Sequence, residues 1–160
     1  MVDPANAADS ASQLPVQLPF ECPWQLVFVY GSLKRGMANH QQLAGAHFVG
    51  PAQLGGLHLY DLGPFPMAVA SDDPAAVLQG EVYGVDGAQL AELDRFEGVP
   101  RLYERQRHQL RDGRSVWVYV GRLRQVRHVR LIVSGHWSGP LTAPPTSGRR
   151  GPEPGPAARR

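Results

Sequence analysis

The sequence predicts an α+β fold: a curved, mostly antiparallel sheet or small β-barrel with flanking short helices. Three observations carry that expectation. Short β-branched and aromatic runs recur along the chain, punctuated by Gly, Pro and Asp. Gln89 to Phe96 is the one segment with clear helical apolar spacing. Asp112-Gly113 lies between two alternating runs, a strong hairpin signal. Many short strands with few helices favour antiparallel pairing over a parallel sheet with crossover helices. No internal repeat is evident.

The elements are expected in the following order. Gln25 to Tyr30 is the first strand, and Met37 to about Leu43 a short helix. Ala46 to Val49 and Gly55 to Asp61 are strands. Gly63-Pro-Phe-Pro66 is a rigid corner, because two prolines fix φ and remove two donors. Met67 to Ala70 continues extended, and Ala76 to Val85 alternates as a strand. The helix over Gln89 to Phe96 follows. Tyr103 to Leu110 and Ser115 to Val120 flank the Asp-Gly turn, and Arg130 to Val133 is a final short strand.

A chain of 160 residues suits one domain. Residues 1–22 and 138–160 are rich in small residues and proline, with little periodic apolar surface to offset the entropy of ordering. They are expected to be disordered extensions around a folded domain at residues 23–137. The net charge of +2 is small. The arginines from Arg101 to Arg130 are spread over strand-like segments, so solvated strand faces are favoured over RNA or membrane-surface contact. Cys22 is the only cysteine, which excludes an intramolecular disulfide. No run resembles a signal peptide or a membrane span, so a cytoplasmic location is expected. The composition leaves oligomeric state open.

Two stretches carry chemistry. In Val27-Phe-Val-Tyr-Gly-Ser-Leu-Lys-Arg-Gly36 a buried strand runs into a glycine-bounded turn. Several backbone N–H groups of such a turn can converge on a carboxylate or phosphate. The turn is no P-loop, since the Gly-Lys-Ser/Thr ending is missing, and Ser32 lacks a hydrolase-elbow context. Ser32 is therefore read as a hydroxyl or N–H donor. Arg35 is read either as neutralising an anion in the cradle or as a solvated loop charge. The second stretch is Leu90-Ala-Glu-Leu-Asp-Arg-Phe-Glu-Gly98. At about 100° per residue, Glu97 falls between Leu90 and Leu93 on the apolar face. It is either solvated past the helix end or held in a partly apolar pocket, where desolvation would raise its pKa into the range of a general acid or base. Gly98 marks the helix stop. Asp94 is a rival carboxylate on the same side of the wheel. The six histidines show no metal-ligand spacing.

Several motifs stand in order: Tyr30-Gly-Ser-Leu33, Gly63-Pro-Phe-Pro66, Gly80-Glu-Val-Tyr83, Leu93-Asp-Arg-Phe-Glu-Gly98 with Tyr103 and Arg105, and Gly135-His-Trp137. Together they resemble the γ-glutamylcyclotransferase-like family, over roughly residues 25–137. The resemblance implies a small mixed barrel flanked by helices. It implies that Tyr30, Gly31, Ser32 and Leu33 bind the α-carboxylate end of a γ-glutamyl substrate, that Glu97 is the catalytic acid/base, and that Tyr103 lies near it. The implied reaction is attack of the substrate's α-amine on its own γ-carbonyl, releasing 5-oxoproline and an amine or amino acid. It needs no metal or cofactor and no partner beyond the small-molecule substrate. The alternatives are a non-catalytic small-ligand binder or an RNA-binding protein on the same fold.

Limited proteolysis is expected to leave a core near residues 23–137 with unchanged melting behaviour. Unfolding on removal of the C-terminal tail would move the domain boundary.

Overall fold

The computed structural model describes residues 24–141. Cys22, the expected N-terminal extension and all but the first four residues of the expected C-terminal one lie outside the described residues.

Strand β1 (Gln25–Val29) is the centre of the fold. It lies third in a five-stranded sheet of order β2-β5-β1-β7-β6. β2 spans His47–Gly55, β5 Val77–Val85, β6 Glu104–Gln109 and β7 Ser115–Val120. A second sheet has the order β4-β3-β8, with β3 at Leu57–Asp61, β4 at Pro66–Ala70 and β8 at Arg130–Ile132. All pairings are antiparallel except β1 with β7. The α+β class and the antiparallel bias therefore hold. The strands make two sheets rather than one closed barrel, linked at their margins by single bonds such as Gly121 N–H to the Ala68 carbonyl at 2.8 Å.

β1 reads as an unbroken apolar run because both of its faces are buried. Val27 and Val29 join one core cluster with Leu90 and Leu93 of the helix, while Phe28 joins the other with Leu57 and Leu59 of β3. Successive side chains of a strand point to opposite faces, so a central strand must be apolar throughout. The neighbour β5 meets β1 with Val29 opposite Glu81.

The helix α1 (Gly87–Phe96) starts two residues earlier than its apolar spacing predicts. Asp86 caps it: its carboxylate accepts the Gln89 N–H at 2.7 Å, and the Gln89 side chain answers back on the Asp86 N–H. The expected helix at Met37 to Leu43 is only a 3-10 turn over His40–Leu43, because residues 37–39 are bonded into the preceding loop. The expected strand Ala46 to Val49 is the start of the nine-residue β2. Pro51 is tolerated in β2 because that strand is at the sheet edge and pairs only with β5. Among the described residues no helix is long and apolar enough to cross a membrane.

Gly135 shows how the chain end is seated. Its carbonyl accepts the Gln79 N–H at 2.9 Å, its φ is +66°, and a Cβ there would lie 1.8 Å from the Val77 carbonyl oxygen. Gly135→Ala is expected to destabilise the protein by about 2 kcal/mol or more, since backbone rather than a flexible side chain must move. Gly36→Ala, at φ +76° but in open space, should cost only about 1 kcal/mol. Denaturant unfolding of the two variants checks the difference.

Candidate active site

Three features of the sequence converge at the C-terminal end of β1. The strand delivers Tyr30 to Leu33, the 63–66 corner delivers Phe65 and Pro66, and the end of α1 delivers Glu97. All line one cavity of about 430 Å³. Tyr103 and Tyr119 complete its wall, and Phe96, Leu102 and Pro140 also line it. Tyr30, Gly31, Ser32, Leu33, Glu97 and Tyr103 therefore share one cavity, whereas Arg35 and Asp94 do not line it. Pro140 belongs to the segment expected to be a dispensable tail, so any trimming has to begin beyond Leu141.

Glu97 is placed by the way α1 ends. Gly98, at φ +64°, is the left-handed residue after the cap. Its N–H bonds the Arg95 carbonyl at 3.2 Å, and the Val99 N–H bonds the Asp94 carbonyl at 3.0 Å. These two bonds form a Schellman closure. They hold Glu97 at the cap itself, on the inner side of the helix, rather than letting it fray into water. Its carboxyl group has no hydrogen-bond partner among the described residues. Burial alone pushes its pKa from the ordinary 4.5 up to about 7.

The three phenols near Glu97 have their hydroxyls committed elsewhere. Tyr30 donates to the Tyr119 carbonyl at 2.6 Å and accepts the Ala68 N–H at 3.1 Å. Tyr103 donates to the Pro66 carbonyl at 2.8 Å. Tyr119 donates to Asp94 Oδ1 at 2.8 Å. All three are held above their ordinary pKa, first by burial, with the Glu97 charge contributing. Tyr30 and Tyr103 thus offer ring surface to a ligand, and their hydroxyls brace the backbone. Asp94, the rival carboxylate, is engaged by Tyr119 and lies 3.5 Å from Arg105 Nε. It does not line the cavity.

The turn after β1 has the donors expected of an anion cradle. The Gly31 carbonyl accepts the Lys34 N–H at 3.1 Å, and the Ser32 carbonyl accepts the Asn39 N–H at 2.9 Å. In a trans peptide the N–H points opposite to the preceding carbonyl. The Ser32 and Leu33 amides are therefore aimed away from the loop's own bonds, and neither has a protein acceptor among the described residues. Asn39 also donates to Ser32 Oγ at 3.0 Å, and the His40 ring bonds the Leu33 carbonyl at 2.9 Å. Gly31 is required for close packing: a Cβ there would lie 2.8 Å from Pro66 Cγ.

Arg35 does not neutralise the cradle. Its guanidinium lies 3.5 Å over the Phe48 ring, and the residue lines a different cavity. Among the described residues no Lys, Arg or His lines the cavity that holds Glu97. Among the described residues no three His, Cys, Asp or Glu side chains are grouped to hold a metal. Asn39 was not foreseen, since an asparagine in a predicted helix carries no signal of clamping a loop seven residues upstream. Tyr119 was hidden likewise, within a strand that reads simply as apolar.

Over residues 27–139 the chain matches the family described as gamma-glutamyl cyclotransferase, AIG2-like. The chain belongs to that family. This AIG2-like family member is 39% identical over 111 residues to the gamma-glutamylcyclotransferase family protein YtfP of Escherichia coli K12, covering 69% of the chain and 94% of that protein. It is 40% identical over 91 residues to human gamma-glutamylaminecyclotransferase, covering 50% of the chain and 58% of the human protein. The solution structure of Escherichia coli ytfP superposes with a TM-score of 0.55 at 38% identity, over 71% of the chain and 96% of that protein.

The raised pKa of Glu97 gives this family member a definite pH signature. Between pH 4.5 and about 7 the folded state binds more protons at this site than the unfolded state, so its stability falls as pH rises. The full shift corresponds to about 3 kcal/mol. Glu97→Gln lacks this proton uptake. The variant is expected to gain on the native protein as pH rises through that window. Denaturant midpoints at several pH values check it; a constant difference would mean that the carboxyl is solvated.

Proposed function

We propose that the protein is a γ-glutamyl cyclotransferase that converts a γ-glutamyl amide to 5-oxoproline and a free amine. The observation that carries this reading is Glu97: a partly buried carboxyl without a protein partner among the described residues, its pKa raised by burial to about 7, in the same cavity as Ser32 and Leu33, whose amides are free of the loop's own bonds. The names of the family and of the relatives agree with it.

The substrate's α-carboxylate accepts the Ser32 and Leu33 N–H groups, in the manner of a backbone anion nest. Tyr30, Gly31 and Tyr103 form the surrounding wall. Bound this way, the γ-glutamyl chain is bent so that its α-nitrogen meets its own γ-carbonyl, and proximity supplies much of the acceleration. Glu97 takes a proton from the α-ammonium. The freed amine attacks the γ-carbon to give a tetrahedral intermediate. The bond to the departing nitrogen then breaks, with Glu97 returning a proton to that nitrogen. Two protons leave the α-nitrogen in all, and the departing amine gains two. A carrier with a pKa near 7 has both forms populated at neutral pH, so one carboxyl serves as base and acid in turn.

The leaving side of the cavity favours an amine over a carboxylate-bearing amino acid. Phe96, Leu102, Pro64 and Phe65 line the cavity, and among the described residues no basic side chain does. A second carboxylate would lose its hydration there without gaining a counter-charge.

Glu97→Gln preserves volume but cannot carry a proton. It should remain folded, bind a γ-glutamyl ligand and lose 5-oxoproline formation by about 10²–10⁴-fold. Asp94→Asn should retain most turnover and lose stability, because its partners are structural. Assay of 5-oxoproline over a panel of γ-glutamyl amines and γ-glutamyl amino acids tests both points. Near-native turnover by Glu97→Gln would sink the assignment.

A further inference from the structure

We infer that Glu81, a residue outside the cavity, is the positioning residue that docks the 31–39 loop so that its Ser32 and Leu33 amides face the substrate. The inference rests on the reading of those amides as the carboxylate cradle.

The loop is an internally bonded unit. Its turns close through Lys34 to Gly31, Met37 to Lys34 and Asn39 to Ser32. The Asn39 side chain on Ser32 and the His40 ring on Leu33 are local too. Beyond the adjoining turn at residues 40–42, two hydrogen bonds found among the described residues tie residues 31–39 to the sheets and the chain end. One runs from the Arg35 N–H to Glu81 Oε1 at 2.8 Å. The other runs from Lys34 Nζ to the Trp137 carbonyl at 2.7 Å. Leu33 in one core cluster, Met37 packed against the other, Arg35 over Phe48 and Gly31 against Pro66 add apolar and cation–π contacts, and these two bonds are the directional polar ties that fix how the loop is turned.

Glu81 acts on both ties. It sits in register with Val29, the last residue of β1, beside the point where the loop leaves the sheet. Its charged oxygen makes the Arg35 bond stronger than a neutral acceptor would. It also supports the second tie. Lys34 is only 6% exposed, and burial lowers its pKa; the negative charge of Glu81 works against that shift and favours the ammonium. Trp137 is itself buried, so the carbonyl that receives Lys34 is a firm anchor. Glu81 lines the separate cavity of about 510 Å³ with Lys34 and Arg35, behind the loop, and does not line the one that holds Glu97. It therefore touches neither substrate nor reacting atoms and acts only through the backbone it holds.

The test compares Glu81→Leu, Glu81→Gln and Lys34→Met in the full-length protein. Hydrogen exchange of the segment covering residues 31–39 is followed without ligand, and KM and kcat are measured on the most responsive γ-glutamyl amide. Glu81→Leu should keep a cooperative melt, speed exchange in the loop and raise KM by at least about tenfold, the effect expected for losing a hydrogen bond to a charged group. Its kcat should stay within about threefold, and the pH profile set by Glu97 should not move. Glu81→Gln, which keeps an oxygen for the Arg35 N–H, should recover most of the KM. Lys34→Met removes the other tie and should reproduce the KM effect, which keeps the test open if Glu81→Leu does not fold. Unchanged loop exchange, or faster exchange with native KM, in folded variants overturns the inference. Absence of turnover in the native protein would instead strike the proposed reaction; the role of Glu81 would then be decided by loop exchange and by calorimetric affinity for 5-oxoproline, and native values in both would overturn it.

Discussion

The site depends on one constraint: the three tyrosines that feel the Glu97 charge are each already bonded to something else. Tyr30, Tyr103 and Tyr119 stand close enough for the glutamate charge to act on them, yet each hydroxyl is bound elsewhere. Had one of them donated to Glu97, it would have stabilised the carboxylate and lowered its pKa. Their commitment elsewhere leaves desolvation unopposed. The carboxyl stays available to a ligand and keeps its proton near neutral pH.

The same hydroxyls hold the walls together. Pro66 shows the coupling most directly. Its ring closes on Gly31, with no room for a Cβ, while its carbonyl accepts Tyr103. The corner, the cradle and the tyrosine thus share one residue. Tyr30 bridges Ala68 of β4 and Tyr119 of β7, so its ring lies in the cavity wall while its hydroxyl joins the two sheets. The shape of the cavity and the stability of the fold are carried by the same contacts. The motif residues seen in sequence are accordingly a mixture of cavity-lining atoms and braces.

Much of this was legible in the chain. The apolar run of β1 implied a strand buried on both sides, and its abrupt end at Gly31 located the turn. The wheel positions of Leu90, Leu93 and Glu97 placed a carboxylate on the buried face, and Gly98 marked the stop. The hairpin at Asp112-Gly113 needed only local chemistry: Leu110 and Arg114 are bonded across it, and Gly113 has φ +88°. Other features had no local signal. The continuation of β2 through Pro51 depends on its being an edge strand, which only the sheet order reveals. The shortening of the predicted 37–43 helix follows from Asn39 and His40 bonding back onto Ser32 and Leu33.

The sequence by itself determined the strand-rich class, the end of the helix and that a carboxylate, Glu97 or its rival Asp94, would lie on its inner side. These are consequences of periodicity and of backbone preferences that act over a few residues. Only the tertiary structure decided between a Glu97 frayed into water and one partly buried in a cavity wall, because desolvation depends on groups far away in the chain: Tyr30, Phe65 and Tyr119. It also decided that Arg35 leaves the cradle for Phe48, that Asp94 is occupied by Tyr119, and that Glu81 and Trp137 receive the loop's two external bonds. Such pairings link residues from 13 to 103 positions apart, where no spacing rule reaches, and they exist only once the sheets have brought those residues together.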